Sequence, residues 1–201
     1  MRPKLIVGLW LALSFCGCSR AQTWQRLGPE GGMVVTLGSA SRGGLYLGTA
    51  DGHIFFSGDR AQSWELRGRL GVRLDAVVTR LIPDPQLQNR VFASAWYQSA
   101  DGGGGVFRSD DGGRTWTLLG LADQAVRALE RAPSRPDVLV AGTRTGVFRS
   151  EDAGKTWQRI SAIDDQELHN VDSLAIDPHN ADLIYVGTYH LPWKTLDAGK
   201  T

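Results

Sequence analysis

Hydrophobic positions along this chain come in short bursts, and the bursts recur in a fixed order. A compact run of β-branched and aromatic residues appears four times: GGLYLGT (43–49), NRVFASAW (89–96), PDVLVAGT (136–143) and ADLIYVGT (181–188). A more polar run precedes each, in MVVTLGS (33–39), DAVVTRLIPDP (75–85), QAVRALERAPS (124–134) and VDSLAIDPHN (171–180). A third, shorter run follows: HIFFS (53–57), GVFRS at 105–109 and again at 146–150, then PWKT (192–195). WELRG (64–68), WTLLG (116–120) and WQRIS (157–161) supply a fourth. Gly, Pro, Asp and Asn bound these runs, which is the punctuation of short strands. No stretch of a dozen residues keeps a helical spacing of its apolar positions. QAVRALERA (124–132) has local helical character, but its aligned place in the repeat assigns it to a strand.

Aligned on Trp24, Trp64, Trp116 and Trp157, the chain repeats every 40–50 residues or so, a period of propellers and of helical arrays. Four antiparallel strands in each such repeat select the β-propeller blade. The expectation is therefore an all-β chain whose residues 22–201 form about four four-stranded blades. Each blade buries its apolar face on its neighbour. TWQRLG (23–28) matches the fourth run without the other three, and reads as an orphan fourth strand. With a half-written repeat at its other end, the array is expected to be an open arc rather than a closed ring.

Between the third and fourth runs lies a repeated turn. Ser109, Asp111, Gly113, Thr115 and Trp116 have the spacing S-x-D-x-G-x-T-W, and so do Ser150, Asp152, Gly154, Thr156 and Trp157. Thr195, Asp197, Gly199 and Thr201 begin a further copy. Ser57, Asp59, Ser63 and Trp64 form the first, with Ala61 where the others have Gly. This turn resembles the Asp-box, or BNR repeat, and the resemblance covers nearly all of the chain after residue 22. Each residue serves the shape of the turn. The Asp accepts backbone N–H groups, the Gly takes positive φ, and the Trp buries a large ring. One Asp per turn falls far short of the 6–8 oxygens of a calcium loop, so no metal is expected there, and no cofactor.

Composition adds the compartment. The formal net charge of +1 gives no electrostatic case for a nucleic-acid partner. MRPK followed by the apolar run LIVGLWLALSF (5–15) and then CGCSRAQ has the plan of an export signal over residues 1–21. FCGC resembles a bacterial lipoprotein signal with Cys18 as the acylated residue, and cleavage after Ala21 by an ordinary signal peptidase is the rival reading. The protein is expected in the periplasm, on the outer membrane as a lipoprotein, or outside the cell, touching a membrane only through such an anchor. Both cysteines lie in this segment, so the domain carries no disulfide framework.

Strand alternation sorts the loops. The repeated turns share one face with the loops joining strands one and two, while the loops joining two to three and four to one lie on the other. That second face carries the residues that differ between blades. Trp96, Tyr97, Tyr189, His190 and Trp193, with Lys194 following, form a candidate aromatic lining for a glycan or protein ligand. Propellers with this turn include sialidases, xyloglucanase-type hydrolases, sortilin-type receptors and photosystem assembly factors, so the resemblance implies a fold and leaves the activity open. Sialidase resemblance would imply an arginine triad and an Arg-Ile-Pro motif, and QRLGPEGG (25–32) lacks that motif. A xyloglucanase-type enzyme would place paired carboxylates across a cleft. Asp51, in the first two-to-three loop, is the catalytic candidate. The preferred expectation is a non-catalytic exported binding or scaffolding module, with a glycoside hydrolase as the alternative and a photosystem-assembly-type protein behind it.

Overall fold

The computed structural model of the protein describes residues 24–30, 32–71, 73–99, 102–163 and 167–200. Residues 1–23, on which the expected export signal and Cys18 fall, and Thr201 of the last turn lie outside the described residues. Four antiparallel sheets follow one another along the chain, each with its strands in sequence order. Blade one is β1 (Val34–Ser39), β2 (Leu45–Thr49), β3 (His53–Ser57) and β4 (Glu65–Arg69). Blade two is β5 (Ala76–Pro83), β6 (Val91–Tyr97), β7 (Gly104–Ser109) and β8 (Thr117–Gly120). Blade three is β9 (Val126–Arg131), β10 (Leu139–Thr143), β11 (Val147–Ser150) and β12 (Gln158–Arg159). Blade four has three strands among the described residues, β13 (Val171–Ile176), β14 (Ile184–Thr188) and β15 (Pro192–Thr195). Among those residues none of the sheets closes on another by hydrogen bonding, so the chain is an incomplete β-propeller. Residues 24–28 form no strand and Trp24 is fully exposed, so the expected orphan fourth strand pairs with none of the described strands.

Three apolar clusters hold successive blades together, and they repeat one plan. Tyr46 and Ile54 of blade one meet Val78 and Leu81 of blade two. Phe92 and Val106 of blade two meet Val126 and Leu129 of blade three. Val140 and Val147 of blade three meet Val171 and Leu174 of blade four. Period-two alternation explains the pattern, since each middle strand sends alternate side chains to the blades on either side. A side chain of this size, fully buried, contributes roughly 1.5–3 kcal/mol. The clusters therefore account for most of the apolar stabilisation between sheets that share no ladder.

The repeated turn is a hydrogen-bonded fastener. Asp111 Oδ1 accepts from the backbone N–H of Arg114 at 3.0 Å and of Thr115 at 2.9 Å, and Oδ2 accepts from the Thr115 hydroxyl at 2.6 Å. The Ser109 hydroxyl accepts from Gly113 N–H at 2.8 Å and donates to Asp111 at 2.7 Å. Asp152 and Ser150 repeat the set in blade three. Thr195, Asp197 and Gly199 reproduce its first half. In the first copy Ser57, Asp59 and Ser63 make the same bonds, and Ala61 takes a φ of +66° in place of glycine. The difference emerges at the indole: Trp116 and Trp157 donate Nε1–H to Gly113 and Gly154 carbonyls at 3.1 and 3.0 Å, whereas Trp64 Nε1 is buried without a partner. Donation from Thr156 backbone and hydroxyl holds the Asp152 carboxyl down at about 2, and Ser63 does the same for Asp59. These carboxylates are spent on the turn and carry no proton to give.

Candidate functional site

The first strand of every blade carries a β-bulge at the same place. The register of β1 skips Val35, that of β5 skips Thr79, that of β9 skips Arg127 and that of β13 skips Asp172. Each skipped residue follows a valine: Val34, Val78, Val126 or Val171. A bulge adds one residue to a strand and re-aims its side chain. Here the re-aimed groups reach the first strand of the next blade. Thr79 Oγ1 donates to the Val126 carbonyl at 2.9 Å, and Arg127 Nη1 donates to Asp172 Oδ1 at 2.9 Å. One residue further along, Arg80 pairs with Glu130 across the same boundary between blades two and three, while burial pushes the Glu130 carboxyl up.

Arg127 and Asp172 open onto a groove of about 550 Å³ between blades three and four. Its walls come from the four-to-one loop, through Glu167, His169 and Asn170, and from the two-to-three loop, through Thr188, Tyr189, His190 and Leu191. Asn170 N–H donates to the Arg144 carbonyl at 3.0 Å, and Thr188 fixes the other loop by accepting from Leu191 N–H at 3.2 Å and donating to its carbonyl at 2.9 Å. Tyr189 is 79% exposed, with its ring edge-on to His190 at 4.7 Å between centres. An exposed aromatic lining the same groove as a cation and a carboxylate suits a ligand with an apolar face and several hydrogen-bonding groups.

The sequence-predicted aromatic residues divide among three places. Tyr189 and His190 are in the groove. Trp96 and Tyr97 end β6 in blade two, each beneath an arginine: Arg127 lies 5.7 Å from the Trp96 ring centre and Arg73 lies 4.6 Å from that of Tyr97. Arg127 thus links Trp96 to the groove floor. Arg73 is held by Asp75 through two bonds of 3.0 and 3.1 Å, which keep the Asp75 carboxyl well below the usual carboxylate range. The glycines that lead into β7 fold back onto β6, with Tyr97 N–H donating to the Gly103 carbonyl at 3.0 Å. A Cβ at Gly104 would stand 2.0 Å from the Ala95 carbonyl oxygen, so no side chain fits there.

Trp193 packs instead into the cluster between blades three and four. It occupies the register position of Phe55, Phe107 and Phe148 in the other blades. Lys194 follows on β15, next to Thr195 of the repeated turn and so at the opposite end of the blade. Asp51 sits apart from the groove, in a cavity of about 230 Å³ at blade one that Glu30 also lines. Its Oδ1 accepts from Thr49 Oγ1 at 2.5 Å and its Oδ2 lies 2.9 Å from His53 Nδ1. The Thr49 bond, with smaller help from His53, lowers the Asp51 carboxyl below its ordinary value. Asp51 is therefore an ionised group, suited to a base and unsuited to an acid. Arg80 and Arg127 both reach the first-strand line, but each is met by a carboxylate, which neutralises them for binding an acidic substrate.

Sequence reasoning did not single out Arg127 and Asp172. The extra residue of a bulge breaks the alternation by which side chains are assigned to faces. The aligned motif, a valine followed by a residue that changes from blade to blade, is the signal that could have found them.

No family model matches the sequence, and no curated protein matches it either. Among solved structures, an ancestral GH74 enzyme is similar at a TM-score of 0.70 and 21% identity, over 89% of this chain and 25% of that one. The GH74 xyloglucanase from Xanthomonas campestris gives 0.66 and 22% identity, over 88% of this chain and 30% of that one. YCF48 bound to D1 peptide gives 0.59 and 15% identity, over 84% and 55%. The chain thus spans about a quarter to a third of the length of the GH74 structures it matches. These likenesses, with four successive antiparallel blades in the same order, show that the chain has the β-propeller fold.

Proposed function

We propose that this protein is an exported binding module whose ligand seats in the groove between blades three and four. The observation that supports this reading is the bulge pair: Arg127 and Asp172 line the groove together with the exposed ring of Tyr189. The Arg127–Asp172 pair offers donors and acceptors side by side, and the Tyr189 ring offers a stacking face. That set fits a glycan, or a peptide segment of a protein partner; YCF48, similar in fold, is described as bound to a peptide. Export rests on the charged, apolar and small-residue plan of residues 1–21. The test is titration calorimetry of the protein against a panel of soluble glycans and peptides. Tyr189→Ala should weaken the bound ligand at least tenfold, while Lys194→Ala, at the far end of the blade, should leave it unchanged. Equal loss from both variants would remove the groove from consideration.

A second reading, glycoside hydrolysis, is favoured by one local fact, the ionised Asp51 held by Thr49 and His53. Glycoside cleavage needs a second, protonated carboxyl on the other side of the bond. An assay on β-glucans decides it: turnover that Asp51→Asn abolishes would establish the enzyme, and absence of turnover by the whole protein would leave the binding module.

A further inference from the structure

The boundaries between blades one and two, two and three, and three and four use aligned positions, and the first departs from the other two at three of them. In the second strand Tyr46 stands where Phe92 and Val140 stand, each facing its partner on the third strand. In the fourth strand Arg67, three residues after the Trp of its turn and skipped in the register of β4, aligns with Leu119 and Ile160. Leu119 and Ile160 pack into the apolar clusters of their boundaries. In the repeated turn, Gly112 directly follows the Asp, where the other copies have Arg60, Ala153 and Ala198. Those three residues hold φ of +60°, +59° and +62°, so the turn itself does not demand glycine there.

The three departures meet at one point. A Cβ at Gly112 would stand 3.5 Å from the Tyr46 hydroxyl oxygen, 3.8 Å from Arg114 Nη1 and 3.9 Å from Arg67 Nη1. Three donors thus surround the space that a side chain fills in the other turns. Tyr46 is 3% exposed, and its hydroxyl makes no hydrogen bond among the described residues. Burial pushes that hydroxyl up, against the pull of Arg67 and Arg114, so it stays protonated and able to donate. The Arg67 side chain is 12% exposed, and its Nε is buried without a partner. Arg67 Nη2 and Arg114 Nη2 share the one carboxylate of Glu65, at 3.1 and 3.2 Å. Asp111, the other acid near Tyr46, is committed to its own turn. One positive charge and a buried, unmet donor are left over, and leaving such a donor unmade is costly.

We propose that this notch between blades one and two is a binding site for a single carboxylate group of a ligand. The one surplus charge matches a monoanion, and guanidinium groups present their donors in the planar arrangement that a carboxylate accepts. The Tyr46 hydroxyl supplies the third donor. Arg114 and Glu65, each more than half exposed, stand at the mouth and belong to different blades. The site lies at the repeated turns and stands whatever the groove between blades three and four binds.

The test is a titration of the protein with sodium acetate, followed in proton–nitrogen correlation spectra, with sodium chloride holding the ionic strength constant. The Gly112 and Gly113 amide signals should shift saturably, with a dissociation constant on the order of 1 mM, as suits so small a ligand. Three variants each install a residue that an aligned blade already carries, so each is compatible with the fold. Tyr46→Phe should weaken acetate about threefold or more, and Arg67→Leu about tenfold or more. Gly112→Ala fills the notch and should abolish the saturable shift of Gly113. Shifts that chloride alone reproduces, that never saturate, or that persist in both Arg67→Leu and Gly112→Ala overturn the site. Glucuronate and N-acetylaspartate, as carboxylates of an acidic glycan and of a peptide, separate the two sources. The ligand's own class should bind at least as tightly as acetate. Exclusion of both would leave an adventitious ion only and overturn the proposal.

Discussion

Three positions in the repeated turns turn a local geometry into a graded stability series. Gly113 and Gly154 hold φ of +90° and +89°, and Ala61 occupies the aligned place at +66°. An L-residue in the left-handed region costs roughly 1–2 kcal/mol. Glycine's greater freedom in the unfolded chain offsets about 0.5–1 kcal/mol of that. Gly113→Ala should therefore destabilise by about 1 kcal/mol, because the new Cβ meets nothing closer than 3.5 Å. Gly154→Ala carries the same backbone cost and in addition drives a Cβ to 2.6 Å from Leu119 Cδ1, inside the cluster between blades two and three. Overpacking of that kind adds roughly 1–3 kcal/mol, for a total near 2–4 kcal/mol. Ala61→Gly runs the argument backwards and should stabilise by about 0.5–1 kcal/mol. Equilibrium urea unfolding followed by tryptophan fluorescence reads all three, provided the slope is unchanged. The reasoning fails if Gly113→Ala costs as much as Gly154→Ala, or if Ala61→Gly destabilises.

The turns also make stability pH-dependent. Asp59 and Asp152 have folded values of about 2 against 3.8 unfolded, so their contribution is complete above about pH 4 and is lost as pH falls towards 2; Asp152→Asn should flatten that part of the urea-midpoint profile. Arg149, 4% exposed, binds the Ala181 carbonyl at 2.6 Å and Asp182 at 2.7 Å, tying blade three to blade four. Arg149→Ala should cost about 1–3 kcal/mol, discounted because Asp182 is part-exposed, with faster amide exchange in β13 and β14 as the readout. Gly104→Ala should disrupt the start of β7 and change the near-ultraviolet signal of Trp96, since its Cβ cannot coexist with the Ala95 carbonyl.

Much of this architecture was legible in the sequence because the repeats agree with one another. The run at 124–134 illustrates this: QAVRALERA has helical composition, yet it is β9, paired along Leu139–Thr143, because its residues Val126 and Leu129 are needed in the cluster with Phe92. Tertiary demand at an aligned position overrode local propensity. Trp193 shows the opposite case. Read in its own loop it belongs to an aromatic lining, and its assignment to the cluster follows only from register, one strand position before Lys194 and level with Phe107 and Phe148. The likeness of 24–28 to 157–161 predicts a strand, but a strand needs a partner edge, and residues 24–28 meet none among the described strands.

The bulges explain why the groove could not be read off in the same way. Alternation assigns a residue to one of two faces, whereas a bulge residue belongs to neither. Val35, Thr79, Arg127 and Asp172 therefore escape the burial pattern that fixes Val78, Val126 and Val171 beside three of them. The fold holds the valine constant for packing and frees the residue after it to vary. A scaffold built this way keeps one buried valine at each boundary between blades and sets one variable side chain next to it, along the line of first strands. Stability and recognition are thereby carried by adjacent residues with separate consequences: Val171→Ala should cost stability with the ligand still bound, and Asp172→Ala should cost binding in a protein that unfolds at the wild-type urea concentration.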